Sequence, residues 1–273
     1  MQKTKIDWAD STWNPITGCR HGCEYCYAQG ITKRFGRMHD GKPFHMAGYE
    51  CISGGLHVLN NPCRYTDTIR GRFSINNIDP FPFGNEPTFH RYRLQEPFWM
   101  KKPQNIFVVS MGDLIGNWVP DAWIQEVFDA CQRAPWHRYI FLTKNPTRYD
   151  SLIDSGILPE RQENMWYGTT CPDMSYPLHW NKNAHTFLSC EPMLAPWVDE
   201  QHRMLNGVNA GFPFGPEWVI LGAETGYRRG KVVPERWWVE DAVKQCRVNG
   251  QKIFMKESLR CLMGEDFVQE LPW

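Results

Sequence analysis

The sequence predicts an α/β protein, a partial or closed (β/α) barrel of about six to seven parallel strands with an aromatic, Pro-rich insertion. Short, continuous apolar runs recur along the chain, as expected for parallel strands buried on both faces. Most runs end in small or polar residues and are followed by a stretch with helical periodicity. The runs are residues 106–110, 139–143, 165–169, 186–189, 218–222 and 253–255.

The predicted helices between these runs begin near prolines. Pro120 precedes residues 123–131, whose apolar side chains recur on one helical face. Pro146 and Pro234 precede two further amphipathic stretches. Repeated strand–helix units favour a parallel sheet with right-handed crossovers, and a doubly wound open sheet is the alternative.

Residues about 38–104 interrupt this alternation. They contain Cys51, Cys63, seven prolines and many aromatic residues. Stretches this long without periodic segments are usually functional or disordered, and the aromatic content argues against disorder. We therefore expect one domain, residues 1–273, in which this insertion caps the mouth of the barrel. A surface decoration without a role in the site is the alternative.

Composition restricts the function classes. Lys and Arg number 30, as do Asp and Glu, so the formal net charge is zero, which argues against a protein that coats duplex DNA. No window approaches the roughly 18–20 apolar residues of a membrane helix. The polar residues 1–10 are unlike a signal peptide. We expect a cytoplasmic protein without a membrane partner, whose ten cysteines are mainly thiols or metal ligands.

The strongest motif is a cysteine loop with the spacing C-x-x-x-C-x-x-C, formed by Cys19, Cys23 and Cys26. Three thiolates in one loop can each bind one iron of a [4Fe–4S] cluster. Electron-carrying clusters usually have four cysteine ligands, so a set of three leaves one iron open for catalysis. Two alternatives remain: a zinc site completed by His21 or a distant cysteine, and three unrelated buried thiols.

This loop, with Tyr25 just before its third cysteine, resembles the cluster motif of the radical S-adenosylmethionine superfamily. The resemblance implies a [4Fe–4S] cluster on Cys19, Cys23 and Cys26 whose open iron binds S-adenosylmethionine. It implies that one electron splits the cofactor and yields a 5′-deoxyadenosyl radical, which abstracts hydrogen from an organic substrate. An electron donor of the flavodoxin or ferredoxin type is the implied partner.

Further segments are similar to a phage-associated, largely uncharacterised subfamily. They are residues 13–19, 87–90, 110–114, 142–144, 189–192 and 221–226. The similarity covers most of the chain and is weakest around residues 38–86. Many relatives space the first two cysteines more widely than this chain does. A phage relative implies the host cytoplasm and a modified nucleobase, nucleotide or nucleic acid as substrate, with isomerisation, lyase chemistry or group transfer all open.

Polar residues after the predicted strands are candidates for binding the cofactor, because ligands of parallel α/β folds lie at the carboxyl ends of strands. They are Ser110, Gly112, Asp113, Thr143, Lys144, Thr169, Ser189, Glu191 and Glu224.

The resemblance suggests roles for several of them. In the superfamily a Gly-Gly-Glu segment meets the methionyl amino group, and residues 110–113 stand in its place here. Lys144 would pair with the cofactor carboxylate, and Tyr25 would pack on its adenine. Thr169, Ser189 and Glu191 would bind ribose hydroxyls. The alternatives are a turn-capping Asp113, an ordinary surface Lys144, and a Glu224 that pairs with Arg228.

The insertion supplies candidates for binding a planar, phosphorylated substrate. Its aromatic residues are Phe73, Phe81, Phe83, Phe89, Tyr92, Phe98 and Trp99, and its arginines are Arg70, Arg72, Arg91 and Arg93. The alternative is that the aromatic residues form a small core of the insertion itself. Two other functions remain open for the chain: a zinc-stabilised nucleic-acid-binding module without catalysis, and an electron-transfer protein.

Overall fold

The computed structural model describes residues 1–36, 49–52, 54–69, 72–173, 175–176, 178–181, 183–198, 215–225 and 228–273. For residues 49, 65–69 and 72–77 it describes the backbone alone. Part of the predicted insertion, residues 38–48, lies outside the described residues.

The described strands, in chain order, are β1 (Gln2–Lys3), β2 (Ser11–Trp13), β3 (Ile16–Thr17), β4 (Tyr49–Ile52), β5 (Leu56–Leu59), β6 (Arg64–Ile69), β7 (Arg72–Ile78), β8 (Thr88–His90), β9 (Asn105–Val108), β10 (Arg138–Thr143), β11 (Met165–Thr170), β12 (His185–Cys190), β13 (Trp218–Leu221) and β14 (Lys252–Met255). The α-helices are α1 (Tyr27–Phe35), α2 (Glu96–Trp99), α3 (Asp121–Gln132), α4 (Arg148–Asp154), α5 (Arg236–Val248) and α6 (Arg260–Met263). Short 3₁₀ helices span Arg91–Gln95, Glu257–Leu259 and Gly264–Asp266.

The main sheet has the strand order β1-β2-β9-β10-β11-β12-β13-β14. β1 pairs antiparallel with β2, and every other neighbouring pair is parallel. Each new strand is added on the same side of the preceding one, whereas the order of a doubly wound sheet reverses at a switch point. The topology therefore favours a singly wound (β/α) sheet over the doubly wound alternative. The partial or closed barrel stays a prediction.

Both faces of the main sheet are buried. On one face, Ile106 and Val108 of β9 pack with α3 residues such as Phe128. On the other face, Phe107 joins an aromatic cluster that includes Trp218. Successive strand residues point to opposite faces, and burial of both explains why the strands read as continuous apolar runs. The helices α3, α4 and α5 begin one or two residues after the prolines that predict them.

A four-stranded sheet, in the order β3-β8-β5-β4, joins the insertion to the start of the chain. In it, Ile16 of β3 pairs with Phe89 of β8. Ile16, Phe89 and Val58 are all buried in the same hydrophobic cluster as α3. The part of the insertion that contains β5 and β8 thus shares the core of the main sheet. No helix among the described residues is long and apolar enough to cross a membrane.

Candidate functional site

The cysteine loop follows β2 and β3 and lies against the segment that leaves β9. The Gly18 amide donates to the Met111 carbonyl at 2.9 Å, and Gly18 forms a parallel bridge with Gly112. A Cβ on Gly112 would lie 2.7 Å from the Gly18 carbonyl oxygen. A Cβ on Gly18, where φ is +88°, would lie 2.3 Å from the Glu86 carbonyl oxygen. Both positions require glycine because backbones meet there, which gives Gly112 a packing role that needs no cofactor.

Side chains also attach the loop to its surroundings. The Asn14 side-chain oxygen accepts from the Ser110 hydroxyl at 3.2 Å and from the Met111 amide at 3.0 Å. The Tyr27 hydroxyl donates to the Ser110 carbonyl at 2.6 Å. The Asn85 side chain donates to the Cys19 carbonyl at 2.7 Å. Ser110 therefore bonds the start of the chain and α1, and these contacts fix the backbone on both sides of the three cysteines.

All three cysteines of the loop are free thiols of intermediate exposure. Cys19 lies close enough to Cys23 and Cys26 for their charges to interact, and burial raises the pKa of the Cys19 thiol to about 12. A metal or cluster would therefore have to displace a proton there. Within the described ranges, no group of three or more His, Cys, Asp or Glu side chains is preassembled as a metal site. In its chemistry and its confinement to one glycine-flanked loop, the thiol set nevertheless fits a three-cysteine cluster.

The buried Asp113 carboxylate accepts four hydrogen bonds from three segments. One oxygen, Oδ2, lies 2.7 Å from His21 Nε2 and accepts from the Thr143 hydroxyl at 3.0 Å and the Lys144 amide at 3.1 Å. The other, Oδ1, accepts from the Ile115 amide at 3.0 Å. Each carboxylate oxygen has two acceptor positions, so Oδ2 is fully engaged by its three partners, whereas Oδ1 accepts the one bond that caps the turn. The geometry favours the turn-capping interpretation of Asp113 over contact with a cofactor.

Lys144 follows β10 and presents its ammonium to the cysteine loop. Its Nζ lies 5.4 Å from the ring centroid of Tyr25 and 5.3 Å from that of Tyr176. Burial lowers the pKa of Lys144, and the nearby Cys23 and Asp113 oppose that shift. No carboxylate of the described residues forms an ion pair with this ammonium. A partly desolvated cation without a carboxylate partner can receive an anionic ligand.

Tyr25 closes one side of this region. Its hydroxyl is buried beside Tyr176 and Cys23 and makes no hydrogen bond of normal geometry with any described residue. Burial raises the pKa of Tyr25, so the phenol stays neutral. An unsatisfied buried hydroxyl is uncommon and is a candidate for a ligand contact. The predicted stacking of Tyr25 on adenine stays a prediction.

Glu191 and Lys256 form a second polar group at the carboxyl ends of β12 and β14. Glu191 Oε2 lies 3.4 Å from Lys256 Nζ, and its Oε1 accepts from the Trp8 indole at 3.1 Å. The Ser189 hydroxyl donates to the same Oε1 at 3.4 Å. Glu191 is close enough to Tyr27 for its charge to act on that phenol. The predicted residues Ser189 and Glu191 thus lie together, at the same carboxyl-terminal edge of the sheet as the cysteine loop.

Glu224 is buried and pairs with Arg228, as one of the sequence alternatives expects. Its two carboxylate oxygens accept from the Arg228 guanidinium at 2.7 Å each, and the Val232 amide adds a bond at 3.2 Å. These bonds hold the pKa of Glu224 below its usual value. Arg228 also lies 3.7 Å from the Glu24 carboxylate of the cysteine loop. The pair therefore links the end of β13 to that loop.

Two predicted threonines lie side by side inside the sheet. Thr143 of β10 is opposite Thr169 of β11, and both side chains are buried. The Thr143 hydroxyl accepts from the Asn145 amide at 2.9 Å while it donates to Asp113. Thr143 therefore supports the turn after its own strand, and a ribose contact by Thr169 stays a prediction.

Most of the insertion's described aromatic residues have structural partners. Phe81 and Phe89 are buried, and Phe83 stacks on His57 with centroids 3.8 Å apart. Phe98 and Trp99, in contrast, are 42% and 66% exposed. The buried positions favour the alternative in which these aromatic residues form core, although that core is shared with the main sheet.

The insertion's arginines are also engaged where the structure describes them. Arg91 forms two hydrogen bonds of 2.9 Å with Glu126, and Arg93 donates to the Asn14 carbonyl at 2.8 Å. Arg70 and the side chains of Arg72 and Phe73 lie outside the described part of the chain. Phosphate binding by Arg91 would require it to leave Glu126.

Sequence reasoning missed three features of the site. The sequence indicates His21 only as a zinc ligand, yet its Nε2 lies 2.7 Å from Asp113 Oδ2. Asn14 bonds the segment after β9. Val109, directly after β9, has φ of +59°, which is strained for a β-branched residue. The position of His21 between two cysteines was an available signal, whereas a valine gives no sequence sign of a left-handed backbone.

Together, the fold and site define a class: parallel α/β proteins with a three-cysteine loop at the carboxyl ends of their strands. The chain belongs to the family described as "Protein of unknown function (DUF5131)", whose family model matches residues 3–260. No curated protein and no solved structure matches the chain.

Proposed function

We propose that this protein is a radical S-adenosylmethionine enzyme that holds a [4Fe–4S] cluster on Cys19, Cys23 and Cys26. The observation that carries the proposal is the placement of three thiols on one loop near the Lys144 ammonium, with which no carboxylate of the described residues forms an ion pair. The thiols supply three iron ligands, and the ammonium can receive the carboxylate of the cofactor. Neither the aromatic cluster of the sheet nor the insertion offers a comparable combination among the described residues.

When bound, the cluster and cofactor together supply a carbon radical that abstracts hydrogen from the substrate. The chain's residues bind and orient. Lys144 pairs with the cofactor carboxylate as a point charge, while the rings of Tyr25 and Tyr176 limit water around its ammonium. Glu191 offers carboxylate oxygens to hydroxyl groups of the ligand, although its Oε1 already accepts from Trp8.

The donor set distinguishes this proposal from a zinc-stabilised nucleic-acid-binding module. Zinc in structural sites usually takes four protein ligands. The fourth ligand nearest in sequence would be His21, which could bind zinc only through Nδ1 because its Nε2 is bonded to Asp113 at 2.7 Å. The neutral composition also argues against a module that binds nucleic acid by charge.

We extend the proposal to an organic substrate of the nucleobase, nucleotide or nucleic-acid class, acted on in the cytoplasm with a flavodoxin-type or ferredoxin-type electron donor. Support for this substrate class comes from the sequence resemblance. Phe98 and Trp99 are exposed, but Lys101 packs on Phe98 at the opposite edge of the sheet from the cysteine loop, so these two rings add no support. The isomerase, lyase or transferase outcome is open.

Anaerobic reconstitution tests the proposal. The purified protein should acquire about four irons and four sulfides per chain, as a [4Fe–4S] cluster requires. With a reductant it should convert S-adenosylmethionine to 5′-deoxyadenosine. Replacing Cys19, Cys23 or Cys26 by Ala should abolish that product because an iron ligand is lost. Cys261→Ala is the matched control, since this exposed thiol lies outside the loop.

Two results would contradict the proposal. Stoichiometric zinc without sulfide would favour the non-catalytic module. Full iron content and cofactor cleavage in a variant that lacks all three loop cysteines would place the cluster elsewhere.

To find the substrate class, deuterium-labelled nucleosides, DNA and tRNA can be compared, since only the true substrate transfers deuterium into 5′-deoxyadenosine.

A further inference from the structure

Among the described residues, the His21 side chain attaches the first half of the cysteine loop to the segment that follows β9. His21 lies between Cys19 and Cys23, and its Nε2 is 2.7 Å from Asp113 Oδ2. Its ring also packs edge-on against Trp118, with centroids 4.9 Å apart. The imidazole is therefore held both by a hydrogen bond and by an aromatic neighbour. Asp113 is almost fully buried, with 5% of its side chain exposed, which strengthens the pair relative to one in water.

The same carboxylate oxygen also bonds the residue that carries the ammonium. Asp113 Oδ2 accepts from the Lys144 amide at 3.1 Å and from the Thr143 hydroxyl at 3.0 Å. One atom thus contacts both the loop with the three thiols and the end of β10. The relative position of these two segments depends on that shared acceptor.

The backbone around Asp113 is held in one arrangement. Val109 has φ of +59°, a conformation that β-branched residues avoid unless their surroundings impose it. Its amide donates to the Trp13 carbonyl at 2.8 Å. Three residues later, Gly112 meets the backbone of Gly18. The backbone of residues 109–113 is therefore held in one conformation against the cysteine loop. Asp113, at the end of this segment, supplies its carboxylate to that loop.

We propose that His21 and Asp113 are positioning residues that hold the cysteine loop in register with Lys144. This inference rests on the proposed function, because it concerns how a cluster on the thiols would face a ligand bound by the ammonium. Neither residue touches the cofactor. Asp113 acts through the His21 ring and the Lys144 amide, whereas the sequence resemblance expects its carboxylate at the methionyl amino group.

The pair predicts a specific pattern in variants. His21→Ala removes the donor, so the loop between Cys19 and Cys23 loses its link to the sheet while the three thiols remain. Replacing a residue that orients a metal site through hydrogen bonds typically lowers metal affinity or activity by about 10- to 100-fold. We expect His21→Ala to retain iron but to weaken S-adenosylmethionine binding about 10-fold or more. His21→Gln keeps an N–H donor near the same place and should recover most of the affinity.

The experiment uses the reconstituted full-length protein. Iron and sulfide content, the electron paramagnetic resonance spectrum of the reduced cluster, and its change on adding S-adenosylmethionine are recorded for each variant. His179→Ala is the matched control, because it removes the histidine of another His–Asp pair, with Asp150 on α4. That control should reproduce the wild-type spectrum and affinity. Asp113→Asn supplies a second test of the pair, from its acceptor side.

The outcomes separate the inference from the proposed function. Wild-type protein without a cluster would overturn the proposed function, and the inference with it. A wild-type cluster together with unchanged binding and spectrum in both His21→Ala and Asp113→Asn would overturn only the inference. Loss of iron in both His21→Ala and His21→Gln would make His21 a metal ligand, which also overturns the positioning role.

Discussion

Replacing Lys144 by Met should weaken cofactor binding while leaving the fold almost unchanged. The side chain lies between the rings of Tyr25 and Tyr176, at 5.4 and 5.3 Å from their centroids. Methionine is similar in length, is apolar and fits between aromatic rings. The substitution therefore removes the charge without leaving a large void.

Two opposing effects determine the change in the free energy of unfolding. Losing the contact between the ammonium and the rings costs about 0.5–2 kcal/mol. Burying a methionine in place of a partly desolvated cation recovers a similar amount, at about 0.8 kcal/mol per buried CH₂. The net change in stability should be within about 1 kcal/mol. If Lys144 receives the cofactor carboxylate as proposed, binding loses a charge-assisted hydrogen bond that contributes about 1–3 kcal/mol, or roughly 5- to 150-fold in affinity.

Titration of reconstituted protein with S-adenosylmethionine measures the affinity, and chemical denaturation measures the stability. Lys101→Met is the control, because the Lys101 ammonium also packs on two rings, 3.8 Å from the centroid of Phe98 and 5.3 Å from that of Trp136. Lys101 precedes β9 at the opposite edge of the sheet from the cysteine loop. Wild-type affinity in Lys144→Met, or an equal loss in Lys101→Met, would refute an anion-binding role for Lys144.

Two further predictions concern the support of the site. Gly112→Ala should lower the melting temperature and loosen the cysteine loop, because its Cβ would lie 2.7 Å from the Gly18 carbonyl oxygen. Gly30→Ala is the control and should not lower the melting temperature, because the space around its Cβ is open. Equal melting temperatures for the two variants would show that the backbones can separate without cost. Glu224→Gln should destabilise the fold at pH 7 by about 1–3 kcal/mol, the range for hydrogen bonds to a charged group. Because Arg228 lowers the folded-state pKa of Glu224, its contribution is fully present above the unfolded value near 4.5 and is lost as the pH falls through the folded value. Chemical denaturation from pH 7 to pH 3 should therefore show the free energies of unfolding of the wild type and Glu224→Gln converging. A constant difference between them would contradict a stabilising ion pair between Glu224 and Arg228.

Much of the architecture follows from local sequence. Residues 139–142 are apolar without alternation because both faces of the sheet are covered, and the polar Thr143 ends the run. Prolines such as Pro120 fix where helices begin, since a missing amide costs nothing in the first turn. The spacing of Cys19, Cys23 and Cys26 likewise confines three thiols to one loop whatever the rest of the chain does.

The surroundings of the insertion's aromatic residues depended on pairing between distant strands. Phe89 is buried because β8 lies between β3 and β5, and neither pairing is visible in the residues near it. A stacking surface and a core residue have the same local sequence, since both are aromatic. Only the tertiary structure shows that Phe89 contacts the ring of Trp123 on α3, with centroids 5.2 Å apart.

The local sequence shows which side chains could bind a ligand or a metal. The contacts of the folded domain show which of those side chains already have hydrogen-bond or ion-pair partners. Asp113 and Lys144 look equivalent as charged residues that follow strands. The carboxylate of Asp113 is occupied by His21, 92 positions away in the chain, whereas the ammonium of Lys144 has no carboxylate partner among the described residues. A charge acquires or lacks a partner through contacts between segments far apart in sequence, and such contacts are set by the packing of the whole domain.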